Sequence, residues 1–325
     1  MIGYITRRLF YGVIILIGVN LLTFILFFAV NTPDDMARLS IGARRVNADA
    51  IEKWKVEHGY DKPLFLNARQ DGIARFTDTI FYQRSVTLLA FDFGDSDAGR
   101  DINHEILERM GPSLSLALPT FVLGLLASII FAMVLVFFRT TALDFWGVVL
   151  CGVMLSISSL FYIIAGQWLF SKIFRLVPYS GFSGGLDIIK FLALPIIVSV
   201  LARLGAEARF YRSLFLEEIG KDYVRTARAK GLGEHIILFR HVLRNALLPI
   251  LTGTVSALPL LFMGSLIAES FFGIPGLGSY TLDAINAQDF AIVRAMVFLG
   301  SALYVVGLIL ADVSYTLADP RVRFD

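Results

Sequence analysis

The sequence predicts an all-α integral membrane protein with about six transmembrane helices and a small extracytoplasmic insert after the first, on the strength of three observations. Of 325 residues, 56% are hydrophobic and only 17% are charged, a balance more apolar than soluble domains carry. Apolar runs near the roughly 20 residues needed to cross about 30 Å of hydrocarbon recur along the chain. Lys and Arg gather in one long connection between two of those runs, as they do in cytoplasmic loops.

The first run, Leu9 to Val30, follows Arg7-Arg8 and exits into Asn31-Thr32-Pro33-Asp34-Asp35. It exceeds the roughly 7 to 15 residues of a signal-peptide core, so residues 1–30 read as a tail and a retained span. Residues 31–110 are too many for a plain connector and too polar for lipid, which predicts a small folded extracytoplasmic element. Within it, Asp49 with Glu52 reads as a capping box that opens a helix from Ile51 to His58, with Gly59 closing it. Gly94 and Gly99 mark turns. Residues 111–325 supply the other five spans: Leu114 to Phe138, Phe145 to Phe170, one that starts near Leu186 and runs on past Arg203, Ala246 to Ala268, and Ala295 to Ala311. Pro119, Pro195, Pro249 and Pro259 are expected to kink their helices.

Charge sets the orientation. The connection from Arg203 to Arg244 carries Arg203, Arg209, Arg212, Lys221, Arg225, Arg228, Lys230, Arg240 and Arg244 against Glu207, Glu217, Glu218, Asp222 and Glu234, so it should face the cytoplasm. An even number of spans then puts both termini inside, in agreement with Arg7-Arg8 and with Arg321 and Arg323. The acidic loop from Glu269 to Arg294 falls outside. The shorter loop from Ser171 to Lys190, with Lys172, Arg175 and Lys190 against Asp187, dissents and is outweighed by the longer basic connection.

Catalytic chemistry is absent. His58, His104, His235 and His241 all fall in expected loops, which leaves no imidazole within a span to activate a serine. No His-Glu-x-x-His zinc motif occurs and no metal site is expected. The single cysteine, Cys151, can form no intrachain disulfide. The sole Gly-Lys pair, Gly220-Lys221, lacks the earlier glycine of a phosphate-binding loop, so any ATP with its Mg must bind a separate subunit. Neither an enzyme nor a nucleic-acid partner is expected. An ion-coupled secondary transporter is the rival class, but Asp312 is the only evident intramembrane companion to Glu269.

The stretch Asp222-Tyr223-Val224-Arg225-Thr226-Ala227-Arg228-Ala229-Lys230-Gly231-Leu232 reads as a helix stopped by glycine, and helical pattern resumes through Arg240 to Pro249. Ala227, Ala229 and Gly231 permit close approach of another surface, while Arg225, Arg228 and Lys230 offer contacts to an acidic partner. A basic surface helix resting at lipid headgroups would look the same.

These residues closely resemble the ATPase-coupling motif in membrane subunits of binding-protein-dependent ABC importers, in particular the first permease of the dipeptide, oligopeptide and nickel group. The likeness extends through Gly59-Tyr60-Asp61-Lys62-Pro63, Phe91-Asp92-Phe93-Gly94-Asp95-Ser96, Leu176-Val177-Pro178-Tyr179-Ser180-Gly181, Arg244-Asn245-Ala246-Leu247-Leu248-Pro249, Glu269 with Phe272 ahead of Pro275-Gly276-Leu277-Gly278, and Asp319-Pro320-Arg321. Arg225-Thr226-Ala227 replaces the broader Glu-Ala-Ala start, as is usual in the peptide group. Ser158 and Leu160 stand where the family commonly has proline and phenylalanine.

The resemblance implies a type I importer permease fold in a bacterial inner membrane, with the coupling loop at about residues 217–245. It implies a second homologous permease, two ABC ATPases and an extracytoplasmic substrate-binding protein as partners, and di- or oligopeptides, nickel or another small solute as cargo. Polar residues inside spans are costly in lipid and normally face protein or water, which makes Asn20, Gln167, Ser265 and Glu269 candidates for the pathway. Ordinary helix–helix hydrogen bonding is the alternative for Asn20 and Gln167.

Overall fold

The computed structural model describes residues 2–41 and 47–318, so the Asp319-Pro320-Arg321 motif, Arg321 and Arg323 lie outside the described residues. The elements in chain order are α1 (Ile2–Ile25), α2 (Pro33–Ile41), α3 (Ala48–Glu57), α4 (Ile102–Phe137), α5 (Ala142–Ser156), α6 (Ser159–Gly166), α7 (Ile188–Ile219), α8 (Asp222–Ala229), α9 (Leu243–Ala257), α10 (Leu266–Phe272), α11 (Leu277–Ala287) and α12 (Phe290–Ala318). Five helices among the described residues are long and apolar enough to cross a membrane: Thr6–Phe28, Ile102–Phe137, Ile188–Ile219, Glu234–Met263 and Phe290–Ser314. A sixth span results if the bent pair Ala142–Ser156 and Ser159–Ile173 is counted as one.

The expected boundaries change in four places. The helix of the second span starts at Ile102 rather than Leu114, so the polar turn with Asn103 and His104 is already helical. The run from Phe145 to Phe170 is not one helix. Ile157 and Ser158 both leave helical dihedrals (ψ 128° and 143°), and the two halves meet at 92°. The run from Ala246 to Ala268 starts earlier, at Glu234, and stops at Met263. Pro259 opens a last tight turn there, and Gly264, at φ +68°, breaks the helix before α10 begins. The last span starts at Phe290, ahead of the expected Ala295. His104 and His235 consequently sit in the first turns of helices and His241 two turns inside the run from Glu234, not in loops.

The chain divides into two compact units, one mainly Met1–Arg109 with Tyr280–Ile309 and the other mainly Met110–Ser279. In the first, Thr32 caps α2: its hydroxyl donates to Asp35 Oδ2 at 2.6 Å, and Pro33 takes the first helical position, where a missing N–H costs nothing. The cap of α3 is Asn47, not Asp49. Asn47 is extended and its Oδ1 accepts from Ala50 N at 2.7 Å, whereas Asp49 already lies in the first turn. Glu52 bonds Lys55 at 2.9 Å, and Lys55 also reaches Asp34 at 3.0 Å, which ties α3 to α2. Gly59, Gly94 and Gly99 all take positive φ, as their turns require. Phe24, Phe28, Met36, Trp54, Tyr60 and Ile80 form the core beneath them.

In the second unit α5 packs closely on α7. A Cβ at Gly205 would stand 2.7 Å from the Cys151 carbonyl oxygen, so only glycine permits this approach. Arg212 locks the same pair by forking onto Asp144, at 2.9 Å from Nε and 2.7 Å from Nη2. Cys151 is buried and free.

Candidate functional site

The basic connection folds as a helix, a tight turn and a second helical run from Glu234. Gly231 makes the turn with φ at +76°. Val224 and Ala227 enter a buried apolar cluster with Phe215, Ile219, Ile237 and Leu238, which seats α8 on the end of the bundle of its unit. Asp222, Arg225, Thr226, Arg228, Ala229, Lys230, Gly231 and Leu232 lie exposed on the other side. Tyr223 is half-buried and donates to Glu218 Oε2 at 2.6 Å, and burial pushes its phenol up to about 12.

Two residues expected at the docking face are engaged within the chain, Arg228 while still exposed. Ala227 is buried, so the close-approach surface narrows to Ala229 and Gly231. Arg228 forks onto Glu234 at 2.8 and 3.2 Å, and Arg139, just past α4, reaches the same carboxylate at 2.9 Å. The turn is thus clamped from two directions. Arg225 and Lys230 stay outward, and Arg225 makes only an exposed 3.4 Å contact with Asp222.

The four span candidates all have structural bonds. Asn20 donates to the Ser85 carbonyl at 2.7 Å and accepts from Ser85 Oγ at 2.8 Å. Gln167 donates to the Tyr179 and Phe271 carbonyls at 3.1 and 3.0 Å. Ser265 caps α10, its hydroxyl accepting from Ala268 N at 3.3 Å. Glu269 is fully buried: Oε1 accepts from Ser113 Oγ at 2.9 Å and Ser265 N at 3.0 Å, and Oε2 accepts from Ser279 N at 3.1 Å. It also lines one of the cavities described next. It is a brace that joins α4 to the starts of α10 and α11.

Next to this brace lies a cavity of about 420 Å³ whose polar lining is Ser159, Ser199, Arg203 and Ser265. A second, of about 330 Å³, shares Ser199, Arg203 and Ser265 and adds Thr120 and Glu269. A third, of about 80 Å³, continues along Arg203, Glu207 and Tyr211. Ser199, Arg203, Glu207 and Tyr211 follow one another at four-residue spacing, a single polar stripe on α7 about 18 Å long at 1.5 Å per residue. In the sequence Arg203 reads as the point where the span nears the cytoplasmic surface and as the first charge of the basic connection. The four-residue polar period was the signal that could have marked it as cavity-lining.

Two family models together match residues 1–324 of the chain. Residues 113–324 match the inner membrane component of binding-protein-dependent transport systems, and residues 1–117 match the N-terminal region of such membrane components. A Brucella abortus (strain 2308) protein, provisionally named as a peptide transport system permease protein, is 33% identical over 331 residues that cover all of both chains. The di/tripeptide transport system permease protein DppB of Pseudomonas aeruginosa is 30% identical over 99% of each chain. The oligopeptide transport system permease protein AppB of Bacillus subtilis is 28% identical over the full length of both.

Proposed function

Since the chain belongs to the family of binding-protein-dependent transport system inner membrane components, we propose that it forms one half of the pore of an ATP-driven importer of di- or oligopeptides. It is a permease subunit of the peptide and oligopeptide importer family, with several membrane-spanning helices. Its partners in this reading are a second homologous permease, two ABC ATPases that bind ATP and Mg, and a substrate-binding protein on the outer face. Both termini face the cytoplasm and the chain itself performs no chemistry on its cargo.

The observation that carries the reading is the exposed turn at Gly231 above a rigid seat. α8 is held by a buried apolar cluster and by the clamp on Glu234, so a push on the turn reaches α4 and α7 without being lost in a flexible tether. Closure of the ATPase pair on ATP would move this lever and switch the pore between outward-facing and inward-facing forms.

Gly231→Asp tests it. Aspartate tolerates left-handed φ better than most residues, and no atom lies within 4 Å of the place its Cβ would take. The turn should survive while its surface gains bulk and charge. Import should fall at least about tenfold, equivalent to about 1.4 kcal/mol of lost coupling, with the protein still in the membrane and ATPase co-purification weakened. Normal transport with normal ATPase co-purification would contradict the assignment.

A further inference from the structure

The polar stripe on α7 holds a cation whose neighbours suit one class of ligand. Arg203 lies within the candidate span Ile188–Ile219, where a charge is expensive and marks a pathway more often than a packing site. Its side chain is 54% exposed and lines all three cavities, while Glu207 behind it is 22% exposed. One oxygen, Glu207 Oε1, takes both Nε at 2.9 Å and Nη2 at 2.7 Å, and Ser128 Oγ donates to Oε2 at 3.1 Å. Glu207 therefore neutralises the guanidinium from one edge. The other edge, Nη1 with the second proton of Nη2, is left in the geometry that a carboxylate takes with two parallel bonds. Thr120 lines the same space, and its Oγ1 is buried with no hydrogen-bond partner among the described residues. The wall also holds Ser199, Ser265 and Glu269, the last with oxygens that already accept from Ser113, Ser265 and Ser279; the rest is apolar, with Leu116, Phe121 and Ile163, and the volume is that of a small-ligand site.

We propose that Arg203 receives the C-terminal carboxylate of the peptide in transit, with Glu207 as the counter-charge that makes the guanidinium tolerable in the span when no peptide is present. The inference rests on the peptide reading of the previous section and names the group by which the cargo is held. A carboxylate on a cargo side chain would offer the same chemistry, so the probe must have neutral side chains.

The complete transporter, with its partner permease, ATPases and binding protein, would be reconstituted in vesicles and supplied with trialanine or its C-terminal amide. Binding of each to the binding protein is measured separately, and the transport readout is peptide delivered per ATP hydrolysed. Wild type should deliver the free acid about tenfold better than the amide, the ratio expected from one charge-assisted contact. Arg203→Gln should lose about tenfold for the acid, leave the amide unchanged, and keep stimulation of hydrolysis by the loaded binding protein; Arg203→Lys should recover part of the preference. Adding an aspartate side chain to the amide distinguishes the two carboxylate sources, since rescue by it would overturn the C-terminal assignment. If Arg203→Gln still prefers the acid, or if acid, amide and hydrolysis all fall together in both variants, Arg203 only braces Glu207 and the inference is overturned. A wild-type complex that hydrolyses ATP but accumulates neither peptide would overturn the peptide reading, and this inference with it.

Discussion

Glu269 behaves as an acceptor on every side, because both oxygens face N–H or O–H donors. Glu269→Gln keeps the shape yet turns an –NH2 toward one set of those donors, so at least one bond is lost in a buried place, at a cost of about 1–3 kcal/mol. The purified complex should melt at a lower temperature than wild type, and an unchanged melting point would rule the brace out. Gly276→Ala should act through the same joint, since its Cβ would overlap both Glu269 Oε2 and Ser113 Oγ. The two changes together should therefore cost less than their sum. The apolar run and the turn-rich stretch after it drew attention to Glu269 in the sequence, but its partner Ser113 is 156 positions away and no local period connects them. Arg294 gave no signal at all. It is buried, donates to the Phe290 carbonyl one turn back at 3.1 Å and to the Arg84 carbonyl at 3.2 Å, and lies 4.8 Å from the Phe28 ring, the last two contacts made by elements distant in sequence.

The break between α5 and α6 shows what hydropathy can and cannot report. Composition adds up to a span across Phe145 to Phe170, but a right-angled bend needs only two residues to leave helical dihedrals. Ser158 has φ −62° and ψ 143°, and Ile157 before it is extended, so the site accepts proline at both positions the ring constrains. Ser158→Pro should raise stability by about 0.4–1 kcal/mol by stiffening the unfolded chain, read as a higher melting temperature; a fall would mean that the bend is held by the serine itself. Gly205 marks the opposite case, a position where nothing larger fits. Gly205→Val would drive its Cβ into the Cys151 carbonyl and should cost about 1–3 kcal/mol through forced separation of α5 and α7. Helix existence was readable from run length, as with α7 continuing past Arg203 to Ile219. Helix ends were not, because Asn47 and Asp49 are both good caps and only backbone geometry chooses between them.

Topology remains the most direct check on the orientation proposed here. With Cys151 replaced by serine, a cysteine at Lys230 should resist a membrane-impermeant thiol reagent in intact cells and react in inside-out vesicles, whereas one at Asp71 should show the reverse. Both positions are exposed, so protection there reports the membrane and not the fold. The bond between Asn20 and Ser85 has a consequence for biogenesis. The two residues are 65 apart, and a bacterial ribosome adding roughly 5–20 residues per second leaves the Asn20 amide without this partner for about 3–13 seconds after it is made. The first helix is therefore made before its final partner for this amide exists, and its final seating waits on the arrival of a segment not yet translated.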